Sequence, residues 1–143
     1  MPPRDIGRNK MIPRFTTPET VDKGWGKEQW LCNNEEYCGK LLEFNAGSKF
    51  SMHYHLNKRE HFYVLKGFLI LTFFNLQNAD KKSHNLLEGQ VVEIPRGVPH
   101  QIEAKENSVI IEISTHHEDS DSYRGSSGPR SGVVDDSILS DQN

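Results

Sequence analysis

Between Cys38 and Ser114 the chain advances in short runs of β-branched, aromatic and aliphatic residues, repeatedly broken by Gly, Pro and Asn. Runs of four to eight such residues between turn formers predict strands. They are expected over 38–44, 49–54, 60–66, 68–75, 85–87, 89–94, 99–104 and 108–114. Asn45-Ala46-Gly47 is expected to turn, Gly67 to joint two strands, and 77–82 to form a polar hairpin loop. Val21 to Leu31 reads as a glycine-jointed lead-in holding Trp25 and Trp30 and ending in a strand. Trp25, between two glycines, is expected to pack in the core or to plug one end of it. No apolar stripe at helical spacing emerges, so the pattern points to an all-β sandwich or barrel.

Outside this body the pattern stops. Residues 1–20 mix Pro2, Pro3, Pro13 and Pro18 with Arg4, Arg8, Lys10 and Arg14, which neither alternate nor repeat, and predict an extended arm. Beyond the body at 21–124, residues 125–143 begin Gly-Ser-Ser-Gly-Pro-Arg-Ser-Gly and bury too little apolar surface to offset their ordering entropy, so a disordered polar tail is expected. The length of 143 residues suits one domain with tails. The net charge of −3 is uneven: Glu118, Asp119, Asp121, Asp135, Asp136 and Asp141 outnumber Arg124 and Arg130, which leaves the rest of the chain slightly positive. That balance argues against a nucleic-acid surface. No apolar run approaches the ~20 residues of a membrane span and the N-terminus lacks a hydrophobic signal core, so no membrane partner and a cytoplasmic location are expected. Cys32 and Cys38 are too few for a disulfide framework and read as reduced, partly buried thiols on strands.

The chemistry concentrates in two segments. Gly47, His53, His55, Glu60 and Gly67 are spaced G-x5-H-x-H-x4-E-x6-G; Gly89, Pro95, Gly97 and His100 are spaced G-x5-P-x-G-x2-H. On a strand His53 and His55 share a face with Cα atoms roughly 6.6–6.8 Å apart; on a helix they would splay by about 200°. The polar quartet Leu56-Asn57-Lys58-Arg59 is long enough to turn the chain, so that Glu60 faces back toward the histidines. His100 follows a Pro-Arg-Gly-Val-Pro turn and heads another strand. Three imidazoles and one carboxylate suit a divalent transition metal (Fe, Mn, Ni, Co, Cu or Zn).

Both segments resemble, residue by residue, the two signature motifs of the cupin superfamily. The second motif often continues with Asn four residues after its histidine, where this chain has Ala104. More narrowly, Gly24-Trp25-Gly26-Lys27-Glu28, Tyr37-Cys38-Gly39-Lys40-Leu41-Leu42, Phe50-Ser51-Met52-His53-Tyr54-His55 and Ser114-Thr115-His116-His117 with Asp121-Ser122-Tyr123-Arg124 look like short bacterial single-domain cupins. Those are similar to the cupin domain of type II mannose-6-phosphate isomerases, where a Glu-His pair stands as Glu60-His61 does here. The resemblance implies the jelly-roll barrel known as a double-stranded β-helix, a metal on His53, His55, Glu60 and His100, and a structured closing segment through Arg124.

For function it implies a sugar or sugar-phosphate isomerase, in which a base moves a proton between neighbouring carbons of an open-chain substrate. Glu60 and Glu112 are the candidate catalytic carboxylates. Glu112 shares a strand face with Ile110 and Ser114, and reads either as an inward acid/base or as a solvated carboxylate. Lys40 alternates with Leu42 and Phe44, which would aim it inward at an anionic substrate, although a surface lysine is the simpler expectation. His61 and Tyr63 alternate outward; His84 and the His116-His117 pair are not expected to bind metal. Two other functions fit the same ligands: an Fe-dependent dioxygenase or lyase, and a non-catalytic module binding a small ligand. Related cupins commonly pair through edge strands, which implies a homodimer.

Overall fold

A computed structural model describes residues 11–125. The first half of the expected arm and nearly all of the expected tail lie outside the described residues. Among the described residues eleven strands form two antiparallel sheets. They are β1 (Glu19–Lys23), β2 (Gly26–Asn33), β3 (Cys38–Phe44), β4 (His53–His55), β5 (Glu60–Lys66), β6 (Phe68–Phe74), β7 (Lys81–Leu87), β8 (Val91–Ile94), β9 (His100–Ala104), β10 (Ser108–Ser114) and β11 (Ser122–Arg124). The larger sheet runs β1-β2-β3-β10-β5-β8 and the smaller β11-β4-β9-β6-β7. This is the jelly roll expected from the strand pattern and the two motifs.

Period-two alternation builds the interior. Cys38, Lys40, Leu42 and Phe44 of β3 are buried while the residues between them are partly exposed, and β5, β9 and β10 alternate in the same way. The core fills the space between the sheets, where Phe62, Val64, Leu69, Ile102 and Ile110 are at most 2 % exposed. Each such side chain stabilises the fold by about 1.5–3 kcal/mol through apolar burial. Trp25 stacks on Phe44 at 4.4 Å between centroids and meets Phe50 edge-on at 6.2 Å, so it packs in the core. Gly67 joins β5 to β6 at φ 103°, and a Cβ there would collide with Ser108, whose hydroxyl accepts the Phe68 N–H at 3.1 Å.

Besides β11, which the strand pattern did not mark, and small shifts at strand ends, three strands differ from the pattern. The run at 49–54 yields only His53–His55 as strand; Lys49 makes an isolated bridge to Glu103, and the Phe50 N–H reaches the Ile102 carbonyl. The strand expected at 85–87 extends back to Lys81, because the β6 ladder from Phe68↔Leu87 to Phe74↔Lys81 holds an edge strand whose polar side chains are exposed on both faces. β1 forms for the same reason: residues 19–23 pair with β2 from Glu19↔Trp30 to Lys23↔Gly26, although their side chains carry little apolar signal.

Candidate metal centre

Three of the four expected ligands come from one sheet. His53 and His55 lie on β4, and His100 opens β9 directly opposite His53 in the ladder. Glu60 opens β5 in the other sheet, so the four side chains meet across the interior. All are buried, with Glu60 2 % and His100 1 % exposed. The ligand nitrogens of His53, His55 and His100 lie within 4.8 Å of one another. Glu60 Oε2 stands 3.1 Å from His100 Nε2 and 3.4 Å from His55 Nε2.

The far side of each ring fixes its tautomer. His53 Nδ1 lies 2.8 Å from the Ser51 carbonyl, His100 Nδ1 2.9 Å from the Val98 carbonyl, and His55 Nδ1 3.1 Å from the Asp121 carbonyl and 3.2 Å from Ser122 Oγ. A carbonyl only accepts, so each Nδ1 carries the proton and each Nε2 offers a lone pair. Burial, reinforced by His100, pushes the His53 pKa down to about 3. Burial also holds His55 well below its ordinary value, with Lys58 adding to the shift against the attraction of Glu60. Glu60 behaves oppositely: burial alone would raise its pKa, but Lys58 and His55 outweigh it and hold the carboxyl well below the usual range. Lone pairs and a carboxylate therefore converge without shared protons, and Glu60 Oε2 has no hydrogen-bond donor among the described residues. A buried set of acceptors arranged this way fits a divalent cation, which satisfies all of them at once.

A second buried cluster adjoins the first. Lys58 Nζ donates to Glu112 Oε2 at 3.0 Å and to His117 Nδ1 at 2.9 Å, and sits 3.4 Å from Glu60 Oε1. His117 Nε2–H donates to Asp119 Oδ1 at 2.9 Å, and the Ser114 hydroxyl donates to Glu112 Oε2 at 2.9 Å. Burial would lower the Lys58 pKa, but Glu112 and Glu60 outweigh it and raise it above the ordinary value. Glu112 would be raised by burial, yet Lys58 and Lys40 bring it below its ordinary value. Burial and the two lysines push His117 down to about 4, so its ring is neutral. His53, His55 and Glu60 of the first cluster and Lys58, Glu112 and His117 of the second line one cavity of about 40 Å³, together with Trp25, Phe50 and Phe62.

A family model for Cupin matches residues 36–127. The chain belongs to the cupin family. Comparison with curated protein sequences gives no match. Among solved structures, this cupin is similar to the capsular polysaccharide assembling protein CapF from Staphylococcus aureus, with TM-score 0.67 and 19% identity over 83% of this chain and 33% of CapF. It is similar to KdgF from Halomonas, with TM-score 0.56 and 18% identity over 66% of this chain and 81% of KdgF. A variant of the oxalate decarboxylase of Bacillus subtilis gives TM-score 0.68 and 15% identity over 87% of this chain and 39% of the enzyme. This cupin thus spans about a third of CapF, and likeness at these identities shows the fold.

Of the remaining candidates, Glu112 takes the inward position, 3 % exposed. The surface position favoured for Lys40 is overturned: it is 1 % exposed. Its place beside Leu42 and Phe44 on the inner face of β3 is made tolerable by Glu28 at 3.3 Å and the Trp30 ring at 4.2 Å. The closing segment is ordered as expected, and β11 pairs with β4. His116 and His117 part company, His116 reaching the Asn34 carbonyl while His117 lines the cavity. His84 is exposed on β7. Both cysteines are free; Cys32 is exposed and Cys38 buried, its thiol pushed up to about 11 by burial and by Glu112. Sequence reasoning missed Lys58 and Asp121. Lys58 reads as one residue of a polar turn, and nothing local marks it as inward-facing.

Proposed function

We propose that this cupin is a metal-dependent isomerase of a sugar or sugar phosphate, in which His53, His55, His100 and Glu60 hold one divalent transition metal and Glu112 carries the proton. The observation behind this reading is the adjacency of a proton-poor set of metal ligands to a buried, ion-paired carboxylate in one small cavity. When bound, the metal supplies Lewis acidity toward substrate oxygen. The residues do the rest. Phe50 and Phe62 give the cavity an apolar wall. The Lys58 ammonium keeps Glu112 ionised, hence in its base form, at neutral pH. Lys58 and Ser114 both donate to Glu112 Oε2 and hold the carboxylate in place.

A cavity of about 40 Å³ has room for a few water-sized groups beside the ligands. The two-carbon end of an open-chain sugar fits it, with the rest of the substrate lying toward Lys23 and Asp119. The same size suits a short organic acid, which keeps an Fe-dependent lyase or dioxygenase as the second reading. Metal-loaded protein offered a panel of sugar phosphates and short acids, with NMR detection of products and an oxygen electrode, separates the possibilities. Isomerised sugar without oxygen uptake supports the isomerase. Oxygen uptake or loss of carbon dioxide replaces it with the second reading. Saturable binding without turnover under any of the six metals makes the protein a non-catalytic binding module.

We further propose a cytoplasmic homodimer. Among the described residues no helix is long and apolar enough to cross a membrane. Met11, Ile12 and Phe15 are 86, 62 and 90 % exposed, and among the described residues no strand pairs with the outer edge of β1. On the outer face of the larger sheet Leu41, Ile111, Tyr63 and Val91 form one paired row, with Val91 59 % exposed. Light scattering on the full chain tests this, and a monomeric mass would remove it.

A further inference from the structure

The loop between His55 and Glu60 joins two of the proposed metal ligands, and a residue more than sixty positions away holds its shape. Asp121 is 4 % exposed. Its Oδ1 accepts the Leu56 N–H at 2.9 Å and the Asn57 N–H at 3.0 Å; its Oδ2 accepts the Lys58 N–H at 3.0 Å and shares that of Asn57 at 3.2 Å. Three consecutive amides thus close on one carboxylate. The same residue's carbonyl is 3.1 Å from His55 Nδ1, and the next residue adds Ser122 Oγ at 3.2 Å. The ladder pair Ser122↔His55 sets the spacing between the two segments. At the other end of the loop, Lys58 holds Glu60 Oε1 at 3.4 Å and so turns Oε2 toward the histidines.

We infer that Asp121 is a positioning residue for the metal centre: through its carbonyl it orients His55, and through its carboxylate and the clamped loop it places Lys58 and thereby Glu60. This rests on the metal-centre reading given above. Charge-assisted acceptance from three amides is a strong local restraint, and partners behind a ligand commonly alter metal affinity 10–100-fold when removed. A carboxylate matters at this position because an amide in its place turns an NH2 group toward N–H donors.

The test uses the full chain stripped with a chelator and titrated with Co²⁺, whose visible bands report coordination geometry. Four proteins are compared: wild type, Asp121→Asn, Asp121→Glu, and Glu118→Gln as a control on an exposed neighbour whose side chain pairs with His116 and whose backbone carbonyl, which accepts the Asp121 N–H, is untouched by the substitution. Circular dichroism of each apoprotein confirms the fold. Asp121→Asn is expected to weaken Co²⁺ binding 10–100-fold and to shift the bands, with Glu118→Gln within twofold of wild type. A Kd within twofold of wild type and unchanged bands in folded Asp121→Asn would overturn the assignment while leaving the metal centre standing. If Asp121→Asn does not fold, Asp121→Glu decides: at least threefold faster Co²⁺ release supports the role, and wild-type release overturns it. Absence of Co²⁺ binding by the wild type would remove the metal centre itself and this inference with it.

Discussion

Replacing Lys58 by Met tests whether the buried charges are organised as described. Methionine keeps most of the aliphatic stem but removes the ammonium from Glu112 Oε2 at 3.0 Å, Glu60 Oε1 at 3.4 Å and His117 Nδ1 at 2.9 Å. Removing one partner of a buried pair costs about 3–5 kcal/mol, since the charge left behind stays out of water. Two carboxylates lose their partner here, which places the expected loss toward the upper end in metal-free protein at pH 7.5. The loss has a ceiling, because an abandoned carboxyl takes up a proton once its pKa rises above ambient pH. The two abandoned carboxyls of Lys58→Met therefore bind more protons folded than unfolded, and their contribution to stability falls as pH rises. The gap to wild type should shrink by about 1.4 kcal/mol per pH unit per carboxyl on acidification from 7.5 to 5.5. Urea titrations of both apoproteins with chelator present, at the two pH values, measure this. Lys58→Met within about 1 kcal/mol of wild type at both pH values would refute the buried cluster.

Acid sensitivity of the wild-type apoprotein follows from His53 and His55. Both are held neutral by burial, with His53 near 3, so below the unfolded value of 6.5 the unfolded chain binds more protons. Stability should fall as pH drops; because the unfolded rings are only half protonated at pH 6.5, the loss is about 1 kcal/mol per ring, or roughly 2 kcal/mol for the two, between pH 6.5 and 5.5; a flat urea midpoint over that range would contradict their burial as neutral rings. For Glu112→Gln, which retains volume but accepts no proton, metal content should stay unchanged while turnover falls by at least ~10²-fold on whichever sugar phosphate the wild type converts; full turnover would remove Glu112 as the base.

How far the sequence reached can be judged residue by residue. His53, His55 and His100 were legible because the two segments that hold them resemble the cupin motifs; strand periodicity by itself put only His53 and His55 on a common face. Glu60 followed, since a four-residue polar turn between apolar runs leaves the next residue facing back. The runs at 38–44, 60–66 and 108–114 became strands over those bounds because apolar alternation and ladder pairing agree there. Edge strands were harder: Lys81 and Lys82 are extended only because β6 lies beside them, and exposed polar side chains leave no periodic trace. Lys40 and Lys58 show the same limit for charge. A buried lysine looks like a surface lysine until its partners are known. Those partners, Glu28 for Lys40 and Glu112 for Lys58, come from other strands. Asp121 was hidden most completely, since its amide donors lie more than sixty residues earlier.

Metal content is the most direct measurement. Purified wild type, His55→Ala and His100→Ala would each be exposed in turn to Fe, Mn, Ni, Co, Cu and Zn, freed of loose metal, and submitted to elemental analysis beside circular dichroism. About one equivalent of at least one metal in the wild type, falling below ~0.1 in both folded variants, is the expected result. Equal content in all three proteins, or none in the wild type under any of the six metals, would contradict the convergence of His53, His55, His100 and Glu60 on a single ion.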